Sequence, residues 1–258
     1  MRTVSITRYV TPLREGGSMP AIVEADDDGL YVLKFRGAGQ GTKALIAELV
    51  SGAIADALGL PIPERVFAEV DTDLGRTEAD PEVQELVQAS GGTNLALDYL
   101  PGSVNFDPLA DLDATNTTLA SRIVWFDAFI SNVDRTPRNT NMLIWHGKLW
   151  LIDHGASLYF HHGWNGSLEK AAAPFTHIQD HVLLPQATEI EAADAELAPR
   201  LTAAFFEETL AQVPDDWLAS EGAFGDPPAL RATYVAYFQR RLEGRAAFVQ
   251  EVLRARGA

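Results

Sequence analysis

The rhythm of hydrophobic and polar positions changes near residue 100. Before it, apolar residues come in short β-rich runs. Residues 3–10 alternate weakly, which predicts a strand. Ala21–Ala25 and residues 30–35 flank the turn Asp26-Asp27-Asp28-Gly29 and predict a hairpin. Thr42–Leu58 follows the helical period through Leu45, Ile46, Leu49, Val50, Ala53, Ile54 and Ala57. Thr42 is its predicted N-cap and Gly59 its C-cap, and Pro61 bars continuation. Arg65–Val70 predicts another strand, residues 71–92 an acidic turn-rich stretch, and residues 94–100 a strand ending at Pro101-Gly102.

After Gly102 the helical period dominates. Residues 117–131 carry a stripe of Leu119, Ile123, Phe126 and Ile130. Met142–Trp145 and residues 148–152 predict two strands joined by His146-Gly147. From residue 187 the chain reads as helix, near 189–196, near 201–212 and as one long element over 228–256. The expected class is therefore α+β, in two lobes. Residues 1–100 form a small β-rich N-lobe with one helix, and residues 101–258 a mostly helical C-lobe, joined near 97–102.

Composition narrows the classes. At 47% hydrophobic and 22% charged, the 258 residues have an ordinary globular balance and can bury a sizeable core. The formal charge of -16 disfavours nucleic acid and anionic membrane surfaces as partners. Without cysteine there is no disulfide framework and no thiolate metal site. The N-terminus lacks a signal-peptide core, and no run of about 18 apolar residues occurs, so a cytoplasmic chain is expected.

The chemistry gathers in residues 132–158, NVDRTPRNTNMLIWHGKLWLIDHGASL. Asp134 lies in a loop, Asn139 follows five residues later, and a hairpin leads to Asp153 at the end of an apolar strand. Phosphoryl transfer needs an oriented nucleophile and positioned metal charge more than covalent help. Asp134 would accept the proton of the attacking hydroxyl. Asn139 and Asp153 would ligate Mg²⁺, a hard ion that prefers oxygen. Asn141 is a rival ligand; the five-residue offset favours Asn139. Gly155 is expected to permit the turn that aims the Asp153 carboxylate. As a lone dipeptide, Asp134-Arg135 would read as a plain turn; the joint spacing is what points to chemistry.

DRTPRN followed by LIDHG resembles the HipA-like kinases and, more distantly, the phosphoinositide 3-/4-kinases. By order of elements the resemblance to the HipA-like group covers residues 14–185. It implies a bilobal protein-kinase-like fold, ATP and Mg²⁺ as cofactors, and transfer of the γ-phosphate to an acceptor such as a protein serine or threonine. Carried onto this chain, it makes Lys34, in the apolar strand YVLKF, the phosphate contact and Glu48 its counter-ion. The loop before the lysine strand would cover the phosphates with Gly16, Gly17 and Ser18. Ser18 becomes a candidate for autophosphorylation. Adenine would sit against the hinge at Asp98, Tyr99 and Leu100. His154 stands where the aromatic of D-F-G is expected. The chain is also too short for the extra N-terminal domain of the toxin kinases, so a DNA-binding antitoxin is not implied.

Competing features weigh less. Gly37-Ala38-Gly39-Gln40-Gly41 opens the helix but has G-x-G-x-G spacing, not the dinucleotide fingerprint, and is expected to be a mobile connection. His177 and His181 stand four apart without the glutamate of a zinc hydrolase. His161-His162 reads as a solvated loop pair, the five tryptophans as core, and residues 189–196 as a solvated helix face. Other readings of the whole are a catalytically silent nucleotide-binding regulator, a small-molecule phosphotransferase, and a transferase of AMP. The H-G-D catalytic loop of antibiotic-modifying enzymes is replaced here by Asn132-Val133-Asp134.

Overall fold

The computed structural model describes residues 1–13, 19–77, 80–110, 115–219 and 225–257. Five strands close a small barrel: β1 (Thr3–Pro12), β2 (Ala21–Ala25), β3 (Leu30–Lys34), β4 (Arg65–Val70) and β5 (Gly92–Asp98), in the order β1-β2-β3-β5-β4. The ring closes through a parallel pair in which Thr3 faces Phe67 and Ser5 faces Glu69. Alternation sends Val23, Tyr31, Leu33, Val66, Ala68 and Ala96 inward to a compact core. The β2–β3 hairpin turns at Asp28, whose φ of 62° is left-handed, and Gly29 follows beside the Tyr31 ring.

Helix α1 (Thr42–Leu58) leaves the barrel between β3 and β4. Its apolar residues join the second and larger core with helix α3 (Thr117–Ile130) and the later helices. Nearly every side of α1 is covered, so its polar Glu48 and Ser51 are buried too. Gly59 closes it in the left-handed conformation, as predicted. Thr42 is not the N-cap. Gly41 holds that position, and the Thr42 hydroxyl donates instead to the Trp217 carbonyl at 3.1 Å.

Residues 1–100 hold a second helix that the acidic pattern hid, α2 (Pro81–Ala89). Asp80 caps it by accepting from the Glu82 N–H, and Pro81 takes the first helical position. Beyond the barrel, β6 (Val104–Asn105), β7 (Met142–Trp145) and β8 (Lys148–Leu151) form an antiparallel sheet. The remaining helices are α4 (Ile190–Leu197), α5 (Ala203–Ala211), α6 (Asp215–Ala219), α7 (Pro227–Glu243) and α8 (Ala246–Arg256). The long helix expected over 228–256 is thus two, because the chain breaks at Gly244, which packs on Ala172 with no room for a side chain.

The acidic stretch from 189 is a solvated face only in part, since Asp194 takes the Trp125 indole N–H at 2.8 Å. Buried Arg241 of α7 donates to the carbonyls of Ala128 and Phe129 at 2.6 Å, satisfying the last turn of α3. Burial lowers its pKa to about 10. Among the described residues, no helix is long and apolar enough to cross a membrane.

Candidate active site

Lys34 ends β3 on the face opposite Tyr31, Leu33 and Phe35, as strand parity requires. Its Nζ donates to Asp153 Oδ1 at 2.6 Å and lies 3.9 Å from Glu48 Oε2. Burial works against the ammonium. The charges of Asp153 and Glu48, the Asp153 hydrogen bond and the field of Asp134 together outweigh it, so the Lys34 pKa is raised. Glu48 is 1% exposed. Burial pushes its carboxyl up, but Lys34 and the hydrogen bonds from His154 hold it below the ordinary glutamate value. Lys34 therefore pairs first with Asp153 and only at longer range with Glu48.

The turn after β8 presents Asp153. The Leu151 N–H donates to the Pro61 carbonyl at 2.7 Å and the Ile152 N–H to the Asn141 carbonyl at 3.0 Å. Asp153 then takes a left-handed φ of 54°. A non-glycine residue there is strained by about 1 kcal/mol or more, as active sites tend to be. Gly155 is not what permits this turn. It lies outside the left-handed region, and an added methyl would meet only Ala44 and Asp153 at 3.6 Å. His154 turns inward at 1% exposure. Its N–H donates to Glu48 Oε2 at 2.8 Å, and its Nδ1 stands 3.2 Å from Oε1. The Ser157 and Ser51 hydroxyls meet at 2.6 Å, a further tie between this turn and α1.

Helix α3 ends at Ser131, with φ 55°, and delivers the loop that carries Asp134. The loop hangs from Asp127, fully buried on α3. Its carboxylate accepts from Arg135 Nε at 2.6 Å, from Asn132 Nδ2 at 2.9 Å and meets His181 Nε2 at 2.9 Å. Arg135 also reaches the Asn141 carbonyl. Asp134 itself is half-buried. Asn132 Oδ1 accepts its N–H at 3.1 Å, and its Oδ2 accepts from Asn139 Nδ2 at 2.8 Å and Asn141 Nδ2 at 3.3 Å. Both amides thus give their N–H groups to Asp134 and keep their carbonyl oxygens for another partner. Asn139 is exposed, whereas Asn141 is buried with a φ of 47°. With Asp153, these oxygens are the hard donors a Mg²⁺-type ion takes. The structure therefore brings together Lys34, Glu48, Asp134, Asn139, Asn141 and Asp153.

Other predicted positions fare differently. Gly16, Gly17 and Ser18 lie outside the described residues. At the hinge, the Asp98 N–H donates to Glu64 and the Tyr99 N–H to Leu30, while Leu100 is buried. The glycine segment after β3 is tied down. The Gly37 N–H donates to Ser90, that of Ala38 to Phe35 and that of Gly41 to Ala38. His161 is no solvated residue: it is 2% exposed, bound to the Tyr234 hydroxyl at 3.0 Å, and its pKa is pushed well below normal by burial and by His162 and Lys43. His181 belongs to Asp127, while His177 is exposed beside Tyr159 and Phe175.

Sequence reasoning missed Asp127, Arg135, Asn132 and His181 as supports. One signal was available: Asp127 is the lone acid in the apolar run IVWFDAFI, where an unpartnered carboxylate would be costly.

The family model described as HipA-like kinase matches residues 6–242. The crystal structure of a Helicobacter pylori proinflammatory kinase, CtkA, is similar at a TM-score of 0.58 and 13% identity, covering 98% of this chain and 97% of that one. Two structures of the Golgi casein kinase, one with Mn/ADP bound, give TM-scores of 0.47 and 0.48 at 10% and 11% identity. They cover 95% and 94% of this chain, and 73% and 74% of theirs. No curated protein matches the sequence. The CtkA likeness shows a kinase-like fold of mixed helix and strand. The chain belongs to the HipA-like kinase family and is a phosphotransferase.

Proposed function

We propose that this HipA-like kinase moves the γ-phosphate of ATP, with a Mg²⁺-type ion, to a hydroxyl acceptor, a protein serine or threonine in the first instance. The observation that carries the reading is the Lys34–Asp153 contact of 2.6 Å in the field of Asp134. A cation and a carboxylate from distant parts of the chain meet there, beside a second carboxylate whose two partners are amides. In this reading residues 1–100 and 101–258 are the two lobes of a bilobal kinase.

The roles follow from the chemistry of each group. Lys34, paired with Asp153 and in the longer-range field of Glu48, gives its ammonium to the α- and β-phosphates. Asp153 and Asn139 offer oxygens to the metal, with Asn141 as the alternative. When bound, the metal supplies charge against the phosphate oxygens. Asp134, oriented by the two amides, accepts the proton of the acceptor hydroxyl. Backbone groups of Asp98, Tyr99 and Leu100 receive the base. The cover over the phosphates is assigned, by the family resemblance alone, to Gly16, Gly17 and Ser18, which lie outside the described residues. The -16 charge favours a neutral or basic acceptor surface.

The test is transfer of labelled γ-phosphate into a cell lysate, with Asp134→Asn as control and mass spectrometry of the product. General-base loss should lower transfer by roughly 10²–10⁴-fold. Nucleotide affinity should change little, since Asp134 is assigned to the acceptor side. An Asp134→Asn protein that transfers as well as the wild type would overturn the assignment, and a product heavier by AMP would replace the reaction.

A further inference from the structure

We propose that His154 is a positioning residue of this site, holding the Glu48 carboxylate so that Lys34 stays free to face Asp153 and the phosphates. The inference rests on the nucleotide-side reading of Lys34 and Asp153.

Glu48 is buried at 1% exposure, and an ionised carboxylate there needs close donors. Lys34 at 3.9 Å is beyond hydrogen-bond range, because its Nζ is drawn to Asp153 at 2.6 Å. His154 supplies what is missing. Its N–H reaches Oε2 at 2.8 Å, and its Nδ1 stands 3.2 Å from Oε1. The other ring nitrogen, Nε2, is buried with no partner among the described residues, so the ring's hydrogen bonding is directed at Glu48 alone. The ring also packs edge-on against Phe126 with centroids 5.6 Å apart. A phenyl ring would fill that space and offer Glu48 nothing. The histidine in D-H-G thus adds a donor at the point where α1 meets the turn bearing Asp153, next to the Ser51–Ser157 contact. Without it, the ion-pair partner left to Glu48 among the described residues is Lys34, 3.9 Å from Oε2, and the carboxylate would draw that ammonium away from Asp153.

Two variants separate donor from ring. His154→Phe keeps the packing and the backbone N–H but removes Nδ1. His154→Asn places an amide N–H near the Nδ1 position and gives up the ring. The readouts are kcat and KM for ATP per folded enzyme, with thermal melts alongside. The Phe variant should lose about 10-fold or more in kcat, the order of one hydrogen bond to a charged group. The Asn variant should recover to within about 3-fold of wild type. In the Phe background Glu48→Gln should cost less than it does alone, because the two act through one contact. Wild-type kcat in the Phe variant, or equal losses in Phe and Asn, overturns the proposal. An inactive wild type would instead count against the proposed function. In that case a hydrogen-bonded imidazole N–H resonance of His154, shifted by Glu48→Gln, supports the contact, and its insensitivity overturns it.

Discussion

Asp127→Asn tests the support under the Asp134 loop. The substitution keeps size and shape but removes the charge that faces Arg135, and both side chains are fully buried. Asp127 accepts at 2.6 Å from Arg135 and at 2.9 Å from Asn132, with His181 also at 2.9 Å. One charged hydrogen bond alone is worth about 1.5–3 kcal/mol. Breaking a buried ion pair from one side costs about 3–5 kcal/mol, because the partner charge is left uncompensated. The larger figure should win here. Among the described residues Arg135 Nη2 is buried without a hydrogen-bond partner, and Asp127 is the carboxylate that the guanidinium pairs with. For a chain of this size each kcal/mol shifts Tm by about 2–4 °C, so a fall of about 6–20 °C is expected in calorimetric melts at neutral pH.

The loss should shrink in acid. Burial raises the Asp127 pKa, but Arg135 and His181 outweigh it and hold the group far below the ordinary aspartate value. Its stabilisation is therefore complete above about pH 4, the unfolded value, and fades as pH falls below it. The gap between wild type and variant should narrow progressively below pH 4 and close only below the depressed folded-state value. A neutral-pH shift under about 3 °C, or a gap that persists unchanged into acid, would refute the account of Asp127 as a charged anchor.

Three further outcomes are expected. Gly52→Ala should destabilise by about 1–2 kcal/mol in urea unfolding, since its methyl would stand 2.6 Å from Arg65 Cδ and displace a side chain bonded to the Leu49 carbonyl, outweighing the better helix propensity of alanine. Gly155→Ala should fall within about 0.5 kcal/mol of wild type and keep transfer activity, because only ordinary contacts await the methyl. For His161, the unfolded chain binds a proton near pH 6.5 while the folded chain resists it. Stability therefore drops by up to about 1.4 kcal/mol per pH unit as pH falls below 6.5, and melts of His161→Gln should lack that increment of slope.

How much of this was legible depends on how local the cause is. Strands, the β2–β3 hairpin and α1 follow from periods of two and 3.6 within one segment, and each was readable. The closing pair of the barrel joins residues 3–5 to 67–69, and no local period encodes it. Helix α2 was hidden because it offers two buried apolar positions, Val83 and Val87, among acids, although Asp80-Pro81 is a helix start. The break at Gly244 depends on Ala172, seventy-two residues away in sequence.

The site divides along the same line. Asp134 and Asp153 are partly exposed and stand at recognisable spacings, since the groups that meet a substrate must keep a fixed order along the loop and turn. Asp127, Arg135 and His181 hold that loop from within, and their partners come from three separate segments. Neighbours in sequence even face opposite ways, Asp134 toward the cleft amides and Arg135 into the core. In the proposed reading, a motif such as D-R records one residue for chemistry and one for placement. His154 extends the rule, because Asp153 pairs with Lys34 while the next side chain turns inward to Glu48. In the proposed roles the inward residue of each motif holds the outward one in position, so substitutions there should act on the reaction without touching substrate.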